Sequence, residues 1–171
     1  KGEHSKGSLI HDHVSEVLIV GNLYAHNYER NPMFKGGASG QVINNLIYNP
    51  GQRGVHYNLI AEEWIGHPYS VGEVVLRGNV LRAGPSTEKL ALMMVGGSGD
   101  LRYYADDNIA VDRIGLALPP FGLYTTTPLN IIRPEQPPAL PFGVRLLPAS
   151  EVQDAVIARV GARPWDRDDI D

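Results

Sequence analysis

The sequence has no cysteine among its 171 residues, which excludes disulfide bonds, thiol nucleophiles and cysteine-ligated zinc sites. No apolar run approaches the ~18 to 20 residues that span a bilayer, so we expect no membrane partner. Positive charge is also scarce, because 15 lysines and arginines oppose 19 acidic residues, and a net charge of −4 does not favour nucleic acid as a partner. The length and the 43% hydrophobic content fit one globular domain.

Four asparagines mark a repeat along the first part of the chain. Asn22 and Asn45 each follow a short apolar run and precede a leucine, and weaker copies surround Asn79 and Asn108. Successive asparagines are thus separated by about 20 to 35 residues, an interval typical of repeat architectures. A period of this length predicts a parallel β-solenoid, whose coils bury their apolar side chains only by stacking on one another. Equivalent asparagines on coils about 4.8 Å apart can then hydrogen-bond as a ladder.

An ordinary β-sandwich whose turns happen to carry asparagine is the alternative interpretation of this repeat. No apolar period of 3.6 residues persists over residues 14–112, so helices are excluded as the main element there. Both interpretations are all-β, and the recurrence of asparagine after apolar runs favours the solenoid.

The later part of the chain has a different composition. Residues 113–148 are rich in proline, which predicts an extended strap over the core. Ser150 and Gln153 then form a capping-box pattern, in which Ser150 is the N-cap. One apolar helical face follows, so the pattern predicts a short helix over residues 151–160.

These patterns suggest one domain built in two parts. We expect solenoid coils over residues 1–112, and we expect the strap and the short helix of residues 113–171 to pack on the same domain. The chain begins at Lys1 without a methionine, so we interpret it as part of a longer gene product whose earlier coils are absent here.

A coil as long as the interval from Asn22 to Asn45 also places basic side chains above one another. Arg53 follows Arg30 at this same interval and Lys6 precedes Arg30 by one position more, so these three residues define a predicted basic column. Five extended residues cover about 17 Å, so Lys35 would lie far from Arg30 and on the opposite face of a strand. Only a bend brings the two side chains together, and Pro32 favours one. Adjacent like charges need a compensating anion, so the column predicts a track for an acidic polysaccharide. Three glutamates could instead neutralise it as surface ion pairs: Glu3, Glu16 and Glu29.

Two other groups of residues carry weaker signals. His11 and His13 would share one face of a strand and could ligate a metal ion, but the sequence offers no evident third ligand. Asp106 and Asp107 offer paired carboxylates, as a glycosidase requires, yet neighbours in a strand point to opposite faces. We therefore assign no metal ligands from the sequence, and the metal-ligating residues stay unknown.

Several stretches together resemble the pectate lyase family of right-handed parallel β-helices. The most specific pieces are the Arg-x-Pro-x-x-Lys element of Arg30 to Lys35 and the Val-x-Asn-Asn-x-x-Tyr coil that begins at Val42. The resemblance covers four segments well, and it is looser across the later coils: residues 4–10, 17–24, 29–37 and 42–49. It implies an all-β fold, a right-handed parallel β-helix.

The resemblance implies a secreted lyase that cleaves α-1,4-linked polygalacturonate by β-elimination with calcium. By position, Arg30 matches the arginine that takes the C5 proton, and Lys6 and Lys35 match basic residues that grip the sugar carboxylate. Arg53 is a substrate-binding candidate from the repeat alone. The family's acidic calcium ligands lie on coils before the lysine motif, so we expect them outside this chain, and we expect a monomer.

Three alternative functions stay open at this point. The first is a lyase that acts on another uronate polymer, and the second is a non-catalytic β-helix that binds acidic polysaccharide through the same column. The third is a hydrolase of the polygalacturonase type, which needs several aspartates and a Gly-His-Gly-like element that the sequence lacks. Whether this chain alone is active is also open.

Overall fold

The computed structural model describes residues 4–127, 129–161 and 163–166. Within them the chain forms fourteen β-strands, a 3₁₀ helix at Ala61–Trp64 and an α-helix, α1, at Ala149–Ile157. No helix in this part of the chain is long and apolar enough to cross a membrane. The two helices are short, so strands dominate the fold.

The strands form three sheets, and every strand pair in them is parallel. In spatial order, sheet 1 contains β1 (Leu9–Ile10), β4 (Met33–Lys35), β7 (Val55–Leu59), β10 (Met93–Gly97) and β13 (Phe121–Leu123). Sheet 2 contains β14 (Ile131–Ile132), β11 (Leu101–Asp106), β8 (Gly72–Arg77), β5 (Ser39–Ile43) and β2 (Val17–Val20). Sheet 3 contains β12 (Ile109–Val111), β9 (Val80–Arg82), β6 (Leu46–Tyr48) and β3 (Leu23–Ala25).

Each passage of the chain adds one strand to sheet 1, then one to sheet 2, then one to sheet 3. This order is consistent with the predicted parallel β-solenoid, and it differs from the antiparallel sheets of a β-sandwich. Side chains alternate along each strand. In β7, Val55, Tyr57 and Leu59 point inward and are completely buried, whereas His56 and Asn58 occupy the outward positions.

The predicted asparagine ladder is confirmed. The Nδ2 of Asn22 donates to the Oδ1 of Asn45 at 3.1 Å, Asn45 donates to Asn79 at 3.0 Å, and Asn79 donates to Asn108 at 2.9 Å. The backbone N–H of each donor asparagine also donates to the same Oδ1. Asn45 and Asn79 are completely buried, so the ladder satisfies polar groups that stacking removes from water.

The proline-rich residues do more than cover the core. β13 and β14 both come from residues 113–148, and they continue sheets 1 and 2 beyond β10 and β11. The segment that follows crosses the outer surface, where Asn44 donates to the carbonyl of Leu147 and accepts from its N–H, both at 2.9 Å. These two hydrogen bonds fix the approach to α1.

The predicted capping box is wrong. The helix begins at Ala149 and ends at Ile157, and its N-cap residue is Pro148, whose own side chain makes no capping hydrogen bond. Instead Asp107 accepts a hydrogen bond from the N–H of Ala149 at 2.9 Å, and Gln153 accepts one from Arg82 at 2.6 Å. Contacts with the coils therefore replace the predicted hydrogen bonds between Ser150 and Gln153. Asp107 binds the first turn of the helix, so it does not form a carboxylate pair with Asp106.

We predict that Asn79→Ala lowers the free energy of unfolding by about 3 kcal/mol, because it leaves two buried donors of Asn45, the backbone N–H and Nδ2, without their acceptor. Asn22 lies at the exposed end of the ladder, so Asn22→Ala should cost less than about 1 kcal/mol. Urea denaturation of both variants measures the difference. Equal losses would contradict the ladder's role in stability.

Candidate functional site

The carboxylate of Glu29 lies among three basic side chains. Its Oε1 is 3.0 Å from the Nζ of Lys6 and 3.8 Å from the Nε of Arg30, and its Oε2 is 2.6 Å from the Nη1 of Arg53. Only 13% of the Glu29 side chain is exposed. The residues of the predicted basic column therefore meet around one carboxylate.

Strand register explains this convergence. Met33 of β4 pairs with His56 of β7, and the same offset along the chain aligns Arg30 with Arg53. Lys6 forms an isolated parallel bridge with Glu29 rather than with Arg30. The column predicted from the sequence is therefore shifted by one position at Lys6, and this shift puts the lysine beside the glutamate.

A pocket of about 190 Å³ opens beside this cluster. We call it the cationic pocket, and its polar lining is Glu29, Arg30, Lys35, Arg53, His56, Asn58 and Tyr124. Arg30 has a φ of +67°, a left-handed backbone conformation, and Lys35 lies in the same pocket five residues later. Arg30, Lys35 and Arg53 thus line one concavity, and Lys6 adjoins it through Glu29.

The charges around the cationic pocket do not cancel. Four cations, Lys6, Arg30, Lys35 and Arg53, have two carboxylate partners, because Lys35 pairs with Glu63 and the others surround Glu29. A third carboxylate, Asp12, lies within 4.8 Å of Glu63, so the local charge is about +1 on a protein of net charge −4. A concave surface with unbalanced positive charge favours an anionic ligand.

The sequence also allowed an alternative in which Glu3, Glu16 and Glu29 neutralise the basic column through ion pairs. Glu29 does neutralise basic residues, whereas none of the ion pairs among the described residues involves Glu16. Glu3 lies outside the described residues. Glu63, which the sequence did not suggest, supplies the second carboxylate. The cluster is therefore partly compensated and keeps an excess of positive charge.

Three acid–base groups of the cationic pocket have shifted pKa values, and burial raises the pKa of one of them, Tyr124. Burial by itself would raise the pKa of Glu29, but the hydrogen bond from Lys6 and the surrounding positive charges outweigh it and hold the pKa below its ordinary value. Burial, and next the charge of Arg53, lowers the pKa of His56 from 6.5 to about 4. His56 is therefore neutral at pH 7, and Glu29 is ionised.

The sequence did not identify His56, Asn58 or Tyr124 as site residues. Alternation in the run from Val55 to Leu59 could have placed His56 and Asn58 on the outer face of a strand. Tyr124 directly follows β13, and its ring lies 4.3 Å below the guanidinium of Arg53. No local pattern relates Tyr124 to Arg53, because stacking of the coils alone brings them together.

One group of side chains that could ligate a metal ion occurs among the described residues. Ligand atoms of His11, Asp12 and Glu63 lie within 4.8 Å of one another, whereas His13 packs its ring against Trp64. Calcium takes six to eight oxygen ligands, and this group offers two carboxylates and an imidazole nitrogen. Glu63 is also paired with Lys35. These residues do not fit a calcium ion.

Comparison with known proteins gives no family for this chain, because no protein-family model, no curated protein and no solved structure matches it. The resemblance to pectate lyases thus stays a prediction from the sequence. The geometry of the cationic pocket is the basis for the functional argument that follows.

We predict that His56 makes stability depend on pH. Its pKa is depressed in the folded protein, so the unfolded chain takes up a proton first as the pH falls. Wild type should therefore lose about 3 kcal/mol relative to His56→Gln between pH 6.5 and pH 4. Urea denaturation across this range measures the difference, and a difference that does not change with pH would contradict a buried neutral imidazole.

Proposed function

We propose that this protein is a polysaccharide lyase that cleaves polygalacturonate, or pectate, by β-elimination. The single observation that supports this most is the cationic pocket, in which Arg30, Lys35 and Arg53 line one concavity with an excess of positive charge. A uronate carboxylate is an anion that such a surface attracts. The residues that the resemblance to pectate lyases implies are the residues that line or adjoin this pocket.

The finer fold assignment is part of the same proposal. We assign the solenoid to the right-handed parallel β-helix of the pectate lyase family, supported by three sheets that receive strands in strict succession. The cationic pocket lies on the outer face of sheet 1, where β4 and β7 contribute lining residues. A stack of parallel strands gives an elongated surface, which suits an extended polymer.

The proposed reaction begins at C5 of the sugar, whose proton lies α to the carboxylate. Arg30 in its neutral form accepts this proton, the C5–H electron pair becomes the C4–C5 double bond, and the C4–O bond breaks. The leaving oxygen takes a proton from solvent. The side chain of Arg30 is 30% exposed in the cationic pocket, so a bound sugar ring can contact it.

The other basic residues stabilise charge in this proposal. Removing the C5 proton builds enolate-like charge on the carboxylate, and fixed cations aimed at that charge lower the barrier. Lys6, Lys35 and Arg53 have this role, and Glu29 holds Lys6 and Arg53 in place through its hydrogen bonds. Glu29 is therefore a positioning residue.

Calcium stays a prediction from the resemblance. The His11, Asp12 and Glu63 group does not fit the ion, so no step above depends on calcium. Secretion and a monomeric state are likewise proposals that come with the family.

A non-catalytic module that binds acidic polysaccharide is the second candidate. The carboxylate of Glu29 supports it, because a partly neutralised cluster suits anion binding as well as catalysis. Formation of an unsaturated uronate separates the two candidates, since binding alone leaves the polymer intact.

We predict that Arg30→Gln lowers the rate of unsaturated product formation from polygalacturonate at least about 100-fold, because glutamine cannot accept the C5 proton. Ultraviolet absorbance of the unsaturated uronate measures the rate, with calcium present in every reaction. Arg102→Gln is the matched control, since Arg102 is exposed on β11 in sheet 2 and should have wild-type activity.

Four results would contradict the proposal. Wild type that binds the polymer without unsaturated product is a binding module, and wild type that releases reducing ends without ultraviolet absorbance is a hydrolase. Unsaturated product formed only from a different uronate polymer would show that polygalacturonate is not the substrate. Full activity of Arg30→Gln would remove Arg30 as the base.

A further inference from the structure

Buried polar atoms without partners cluster in the cationic pocket. Among the described residues, nine buried side-chain nitrogen and oxygen atoms have no hydrogen-bond partner. Four of them belong to pocket-lining residues: Arg30 Nε, Arg53 Nε, His56 Nδ1 and Asn58 Oδ1. Folded proteins pair nearly all of their buried polar groups, so a local group of exceptions indicates a site for a ligand.

His56 is the most deeply buried of these four residues. It occupies an outward position of β7 and is nevertheless only 1% exposed. Arg53 and Tyr124 lie against it, with the Arg53 guanidinium 4.3 Å from the Tyr124 ring centre and the two aromatic rings 6.4 Å apart. The imidazole therefore forms part of the floor of the cationic pocket, with an unpaired nitrogen that costs stability.

Asn58 lies two residues further along the same strand, so its side chain projects on the same face as His56. It pairs in register with Lys35 of β4, and its unpartnered Oδ1 is a hydrogen-bond acceptor. The pocket thus combines cationic walls, from Arg30, Lys35 and Arg53, with a neutral floor that offers hydrogen bonds.

The cationic walls and the neutral floor together favour one chemical class of ligand. A simple inorganic anion would use the cations and leave the floor unpaired, whereas a neutral sugar would use the floor and leave the cations unpaired. A hexuronate ring presents a carboxylate and hydroxyl groups together. Neutral imidazole donates from one nitrogen, and its depressed pKa keeps His56 in that form at pH 7.

We propose, resting on the proposed function, that His56 and Asn58 are specificity-determining residues that hydrogen-bond one uronate ring. His56 donates through Nδ1–H to the ring's carboxylate, and Asn58 Oδ1 accepts from a neighbouring hydroxyl group. Together they make the cationic pocket selective for the free acid over the neutral sugar.

The test compares two probes, trigalacturonate and its carboxyl-reduced trigalactose counterpart, by isothermal titration calorimetry at pH 7. His56→Phe should weaken trigalacturonate binding about tenfold, because a hydrogen bond to a charged group is lost. His56→Gln keeps an N–H donor and should recover part of the affinity. Asn58→Leu, which keeps the side-chain shape, should weaken binding severalfold. Met94→Leu is the control, since Met94 pairs with His56 in register and does not line the pocket.

A kinetic measurement separates this role from a merely structural one. The His56→Phe and Asn58→Leu variants should raise KM for polygalacturonate and change kcat much less, because they act on binding of the ground state. The preference of wild type for trigalacturonate over trigalactose should shrink in both variants. If His56→Phe does not fold, the Asn58→Leu and His56→Gln results decide whether the floor of the pocket determines specificity.

The outcomes distinguish the inference from the proposed function. If wild type prefers trigalacturonate and the variants keep the same affinity and preference, the floor has no role in recognition and the inference alone is overturned. If wild type binds neither probe better than the other, the inference and the proposed uronate substrate both fail. A kcat loss at unchanged KM would also overturn the specificity role.

Discussion

Parallel stacking of the coils is the constraint on which the rest of the structure depends. A strand in a parallel sheet fixes its neighbour's register, and here the fully buried amides of Asn45 and Asn79 make that register specific. Each amide finds its partners on the adjacent coil, so a slipped coil would leave buried donors and acceptors unpaired. The same register aligns Arg30 with Arg53 and puts Lys6 beside Glu29.

Glu29 reduces the electrostatic repulsion among Lys6, Arg30 and Arg53. Like charges on neighbouring coils about 5 Å apart repel one another, and a single carboxylate that contacts Lys6, Arg30 and Arg53 offsets much of that repulsion. The compensation is incomplete, which leaves an excess of positive charge at the site. Tyr124 from a later coil then covers Arg53 and His56, so the cationic pocket depends on stacking across several coils.

The sequence predicted the features that repeat and missed those that arise from contacts between distant coils. Period and asparagine spacing predicted the stacked parallel strands and the ladder, because both follow from a local pattern that recurs. No local sequence pattern predicts three features that arise between coils: the shift by one position at Lys6, the contact of Tyr124 with Arg53, and the capping of α1 by Asp107. The capping box failed because the helix begins at Ala149, which puts Ser150 inside its first turn, and Gln153 is hydrogen-bonded to Arg82 instead.

The most direct measurement of the central claim is a crystal structure of the Arg30→Gln variant with trigalacturonate bound. The account predicts a sugar carboxylate in the cationic pocket, within hydrogen-bond distance of Lys35 or Arg53 and of His56. A second groove, lined by His26, Tyr28 and Glu88 among others, lies on the same protein. Sugar bound in that groove with the cationic pocket free of carboxylate would contradict the account.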